Sequence, residues 1–154
     1  MREGKRIETQ QQSCLCEATT CRFTVSGQSH DGWIGVDFDG TLAIYDQWRG
    51  ADHCGEPIPS MVERVKTWLA EGKRVRIVTA RVFAPGNNAK RQKEAAVSLL
   101  SIQEWCKQNL GEILPITCVK DFAMIELWDD RCVQIERNTG IVLQEKVASM
   151  KQER

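Results

Sequence analysis

The chain has 154 residues, 42% of them hydrophobic, which is enough for one domain with a substantial core. Its 21 basic and 21 acidic side chains leave no formal net charge, so nothing global draws it to nucleic acid or to an acidic membrane surface. No apolar run is long enough to span a bilayer, and Met1-Arg2-Glu3-Gly4-Lys5-Arg6 leads into Gln10-Gln11-Gln12, so the expectation is a cytoplasmic protein without a secretory signal.

Residues 1–31 are polar, rich in Gln, Ser, Thr and Gly. They read as an N-terminal arm, partly disordered, with a short edge strand near residues 22–25. The seven cysteines are Cys14, Cys16, Cys21, Cys54, Cys106, Cys118 and Cys132, an odd count. Without a secretory signal they are expected as thiols rather than disulfides. Cys14, Cys16 and Cys21 with His30 offer four zinc donors, but their spacing matches no Cys-x-x-Cys pair. Thiols on a loose arm are therefore the preferred reading. Cys118 and Cys132 lie in apolar runs and are expected to pack as small hydrophobes.

From Gly32 the composition changes. The stretch Gly32-Trp33-Ile34-Gly35-Val36-Asp37-Phe38-Asp39-Gly40-Thr41-Leu42 opens with an apolar run, residues 33–36, that predicts a buried strand. The run ends in two carboxylates one residue apart, Asp37 and Asp39. Gly40 follows, suited to a sharp turn or a close approach to a ligand. In open α/β sheets, ligands bind beyond the carboxyl ends of the strands. Two carboxylates so close repel each other, and burying them unpaired is costly. A hard divalent cation such as Mg²⁺ removes that cost.

Residues 43–57 make a connection longer than is usual in a compact domain, the mark of a lid or binding loop. It carries Trp48 and Arg49, an aromatic and a cation that together can grip a base, sugar or phosphate. The plain alternative is that Trp48 folds back onto the domain. His53 reads as a surface histidine. Pro59 starts a helix, Met61, Val62, Val65, Trp68 and Leu69 share one apolar face, and Gly72 ends it. A second strand, residues 75–78, ends at Thr79-Ala80-Arg81. Pro85-Gly86 breaks the chain, and a helix follows over residues 89–110. Its predicted apolar face is Ala96, Leu99, Leu100, Gln103, Cys106 and Leu110, and its first turns carry Lys90, Arg91 and Lys93. Gly111 stops it. Strands are expected over residues 116–119, ending at Lys120, and 124–128, ending at Asp129 and Asp130. Residues 133–135 and 141–143 are expected to pair around Asn138-Thr139-Gly140. A catalytic domain is thus expected over 32–145, followed by a polar tail over 146–154.

Each of the four expected strands ends in a residue suited to phosphate chemistry: Asp37 and Asp39, then Thr79, then Lys120, then Asp129 and Asp130. A hydroxyl and an ammonium can hold phosphate oxygens, and carboxylates can hold Mg²⁺ and supply a nucleophile and an acid/base. Strands alternating with helices predict a parallel sheet that brings these ends to one edge.

With those four strand ends in view, the chain resembles the haloacid dehalogenase-like (HAD) superfamily of phosphohydrolases. The first motif is Asp37-Phe38-Asp39-Gly40-Thr41, the second Thr79, the third Lys120 and the fourth Asp129-Asp130, over roughly residues 33–136. Lys120 lies close before Asp129, and some forty residues between the first two motifs hold a helix and a loop. The arrangement Val119-Lys120-Asp121-Phe122-Ala123 through Leu127-Trp128-Asp129-Asp130-Arg131 is most similar to small members of the family, many from bacteriophages. The resemblance implies a Rossmann-like three-layer α/β sandwich with a mainly parallel sheet and no large cap domain.

It also implies a mechanism. Asp37 attacks phosphorus to form an aspartyl-phosphate, and Asp39 protonates the leaving oxygen and then activates water. Mg²⁺ is held by Asp37, the backbone carbonyl of Asp39, and Asp129 or Asp130, with the choice between the last two open. Thr79 and Lys120 hold the non-reacting oxygens. The expected activity is that of a phosphomonoesterase, with nucleotides or nucleic-acid phosphate ends as candidate substrates. Trp48, Arg49, Arg81, Lys90 and Arg91 are the candidate substrate contacts. Two readings compete: a non-catalytic or zinc-binding interaction module on the same scaffold, and a different reaction such as phosphotransfer or dehalogenation. Asp39 disfavours dehalogenation, because that branch lacks the second aspartate.

Overall fold

In the computed structural model, residues 32–143 are described. The arm bearing Cys14, Cys16, Cys21 and His30, the edge strand expected near residues 22–25, and the tail over 146–154 lie outside the described residues. Chain order is β1 (Trp33–Asp37), α1 (Pro59–Ala70), β2 (Val75–Val78), a 3-10 turn (Ala80–Val82), α2 (Ala89–Leu110), β3 (Ile116–Thr117) and β4 (Met124–Trp128). The four strands form one sheet in the order β3-β2-β1-β4, and every pairing is parallel. The fold is an α/β, Rossmann-like sandwich on a central parallel sheet. Between β1 and β2 stand only a loop and α1, so among the described residues there is no large cap domain. Among the described residues no helix is long and apolar enough to cross a membrane.

The register explains the core. Ile34 lies opposite Val75, and Val36 lies between Ile77 and Trp128. Alternation puts Ile34, Val36 and Phe38 on one face with Val75 and Ile77. Met61, Val62, Val65 and Trp68 of α1 and Ile102, Trp105, Cys106 and Leu110 of α2 close over that face. The alternate side chains of β1 and β2 point the other way. There the Arg76 guanidinium lies 4.5 Å from the Trp33 ring, and Asp121 receives hydrogen bonds from both.

Helix α1 has the expected bounds and face. Pro59 occupies its first turn, and Gly72 follows in a left-handed conformation. Helix α2 also has the expected bounds, with the Asn88 side chain accepting from the Arg91 N–H at its start and Gly111 at its end. Its buried face differs from the predicted one. Ala95, Ser98, Ile102, Trp105, Cys106 and Leu110 are buried, whereas Ala96 is exposed and Leu100 is 66% exposed. The bulk of Ile102 and Trp105 sets the rotation. Trp105 meets Phe38 edge-on at 5.1 Å and donates from Nε1 to the Gly55 carbonyl. The small Ala95 and Ser98 let the 43–57 loop approach, and Ser98 Oγ donates to the Ala51 carbonyl.

Two further expectations are corrected. Strand β3 covers two residues rather than four, because Thr117 Oγ1 accepts from the Val119 N–H and turns the chain out of the ladder. Cys118 does pack against the core, but Cys132 is exposed, because the chain leaves the sheet after Trp128. The expected pairing around Asn138-Thr139-Gly140 is present as a single bridge, Ile135 to Val142.

The observed α2 face predicts that Ile102→Ala lowers stability by about 2–5 kcal/mol, while Leu100→Ala shifts it by no more than about 0.5 kcal/mol. Urea denaturation of both variants measures this, and the reverse ranking contradicts the observed rotation.

Candidate active site

The parallel register brings the ends of β1, β2 and β4 to one edge. Asp37 is the last residue of β1, and Asp129 and Asp130 directly follow β4. Asp37, Asp129 and Asp130 each present a carboxylate oxygen within 4.8 Å of the others. Both residues of the Asp129-Asp130 pair therefore converge on Asp37. Strict alternation would point them apart, but β4 has ended at Trp128 and the chain is already turning. The Asp129 carboxylate accepts from the Arg131 N–H within that turn.

Two residues of the first motif hold Asp130 in place. Thr41 Oγ1 accepts from the Asp130 N–H at 3.0 Å. Gly40 has a φ of 87°, and a Cβ on it would stand 3.1 Å from the Asp130 carboxyl. Glycine there permits both the turn and the close passage of the carboxylate.

Burial raises the Asp37 carboxyl, and the charges of Asp129, Asp130 and Asp39 raise it further, to about 7 against an ordinary 3.8. The Phe38 N–H, donating to it, acts in the opposite direction. Among the described residues no lysine or arginine pairs with Asp37, Asp129 or Asp130. Three hard oxygen donors without a cationic partner suit a divalent cation such as Mg²⁺.

Asp39 is placed differently. Its side chain faces Arg81, whose Nε and Nη2 each donate at 2.6 Å to the two carboxylate oxygens. Arg81 Nη1 also donates at 2.6 Å to the His53 carbonyl. Its guanidinium lies 5.6 Å from the Phe38 ring and 5.1 Å from the Trp48 ring. The side chain of Asp39 is thus absent from the three-carboxylate cluster.

Thr79 is nearly fully buried, and its Oγ1 accepts from the Arg81 N–H at the start of the 3-10 turn. Lys120 is exposed beyond β3 and joins no ion pair among the described residues. Of the loop candidates, Trp48 is 49% exposed and Arg49 is bound to Asp46. His53 is exposed, as expected. Arg91 bonds Glu94 and the Phe83 carbonyl, and Lys90 is 3.9 Å from the same Glu94, so a single carboxylate faces both cations. The sequence placed Arg81 among substrate contacts and missed its clasp on Asp39. The signal available was its position two residues beyond Thr79 at the neighbouring strand end.

The 43–57 loop is anchored rather than loose. Ile44 N donates to the Glu56 carbonyl and Ile58 N to the Leu42 carbonyl, closing its base. A Cβ on Gly55 would fall 1.8 Å from the Ile44 carbonyl oxygen, so only glycine permits that crossing. Of the three clustered carboxylates, those of Asp37 and Asp129 are half-buried and that of Asp130 is exposed. One concavity is lined by Gly32, Trp68, Arg74 and Trp128 and another by Asp52, His53, Glu104 and Trp105, and neither includes the three carboxylates.

No protein-family model and no curated protein matches the chain. A solved structure, that of a conserved protein coded by a locus from Bacteroides thetaiotaomicron, is similar at 24% sequence identity over 65% of this chain and 76% of that one, with a TM-score of 0.42.

The raised Asp37 carboxyl predicts a pH dependence. Between the ordinary value of 3.8 and about 7, the folded protein holds a proton that the unfolded chain has released. Stability of metal-free protein therefore falls as pH rises through that window. Asp37→Asn removes the effect, and its melting temperature varies less over the same range. Melting curves in chelator-treated buffer measure both proteins, and equal slopes contradict the prediction.

Proposed function

We propose that the protein is a Mg²⁺-dependent phosphomonoesterase of the haloacid dehalogenase-like type, working through an aspartyl-phosphate on Asp37. The observation that carries this reading is the convergence of Asp37, Asp129 and Asp130 without a cationic side chain, beside a fourth carboxylate, Asp39, held apart by Arg81. A cation bound by the three would supply the charge that keeps Asp37 ionised and lets an anionic carboxylate approach an anionic phosphate.

The chain's own groups divide the remaining work. An oxygen of Asp37 attacks phosphorus, the bond from phosphorus to the ester oxygen breaks, and an acyl phosphate forms. Asp39 gives a proton to the departing oxygen. It then takes a proton from the water that attacks the acyl phosphate, releasing inorganic phosphate and restoring Asp37. Arg81 fixes the direction of the Asp39 carboxylate throughout. Thr79, directly after β2, and Lys120, beyond the end of β3, hold the non-reacting oxygens.

Phosphate release from an aryl phosphate is expected to require Mg²⁺, and to fall to the uncatalysed background in Asp37→Asn while circular dichroism shows an unchanged fold. Full activity of that variant contradicts the covalent mechanism.

A further inference from the structure

Trp48 stands out in the 43–57 loop. Exposing half of an indole is unfavourable, yet this one is held in place: the Arg81 guanidinium lies 5.1 Å from its ring, and the same guanidinium clasps Asp39. Ile44 and Tyr45 of the same loop are also exposed. An apolar, aromatic surface thus stands one guanidinium away from the acid/base carboxylate. Of the arginines expected to contact substrate, Arg49 is bound to Asp46 and Arg91 to Glu94, whereas Trp48 presents a half-exposed aromatic ring.

We infer that Trp48 is the specificity-determining residue of this site: its half-exposed ring, seated on Arg81 beside Asp39, stacks the base of a nucleoside monophosphate whose phosphate lies at Asp37. The inference rests on the phosphomonoesterase reading. The observed link from the Trp48 ring to Asp39 runs through the Arg81 guanidinium, so the stacked group is taken to be separated from the ester oxygen by a spacer. A sugar provides that spacer, whereas a ring attached directly to the ester oxygen does not. Stacking uses the π-face that every base has, so discrimination among bases is weak.

The test compares a nucleoside 5′-monophosphate with ribose 5-phosphate, which share the reacting bond and differ by the base. In the wild type with Mg²⁺ the nucleotide has the higher kcat/KM. In Trp48→Leu the ratio of the two values falls by about 5- to 100-fold, the worth of one base–aromatic stack, and Trp48→Phe keeps part of it. A ratio near one in the wild type, or one that Trp48→Leu leaves in place, overturns the proposal.

Equilibrium binding of the same two phosphates to Asp37→Asn, with and without Trp48→Leu, gives a readout independent of turnover. Trp48-dependent binding of the nucleotide, with no hydrolysis by the wild type, keeps the stacking platform and removes the phosphatase. Hydrolysis of both esters without dependence on Trp48 does the reverse. Phenyl phosphate tests the spacer: a loss in Trp48→Leu as large as that of the nucleotide puts the ring at the ester oxygen and overturns the nucleoside assignment.

Discussion

Mutual repulsion among Asp37, Asp129 and Asp130 is the constraint on which this structure turns. Three carboxylate oxygens within 4.8 Å of one another, two of them on half-buried residues and one on an exposed residue, repel one another without compensation. The backbone nevertheless enforces the arrangement. Parallel pairing of β1 with β4 sets Val36 beside Trp128, which places the following acids of both strands at one edge. Gly40 leaves room for the Asp130 carboxyl, and Thr41 accepts from its N–H. The upward shift of Asp37 comes first from its burial and then from the charges of Asp129, Asp130 and Asp39. A fold that spends stability to gather negative charge in this way is suited to holding a hard cation.

Arg81 separates the fourth carboxylate from the other three. By clasping both oxygens of Asp39 it supplies that residue with its own countercharge and fixes its orientation. The same side chain bonds the His53 carbonyl and lies under Trp48, so one guanidinium ties the acid/base candidate to the loop that overhangs it. The loop is further fixed to α2 through the Ala51 and Gly55 carbonyls. Such anchoring gives the site a fixed rim, in keeping with the small segment between β1 and β2.

Much of this was legible in the sequence, for identifiable reasons. The bounds of β1, α1, β2, α2 and β4 follow, to within a residue, from apolar runs punctuated by Pro59, Gly72, Pro85-Gly86 and Gly111, and these are local signals. The strand-end acids were legible because a parallel sheet leaves one edge for them. The rotation of α2 was not, because Leu99 and Leu100 weigh as much in a periodicity count as Ile102 and Trp105. What decides between them is the Phe38 ring and the Gly55 carbonyl, both distant in sequence. The convergence of both Asp129 and Asp130 on Asp37 also escaped, because it depends on β4 ending at Trp128. The clasp of Arg81 on Asp39 spans forty-two positions and leaves no periodic trace.

The central claim is that Asp37, Asp129 and Asp130 together form a divalent-cation site. The most direct measurement is calorimetric titration of metal-free protein with Mg²⁺, repeated on Asp129→Asn and Asp130→Asn. The account predicts one Mg²⁺ per chain for the wild type, with release of protons from Asp37 near neutral pH and at least about ten-fold weaker binding in each variant. Absence of binding by the folded wild type, or binding that neither substitution weakens, would contradict it.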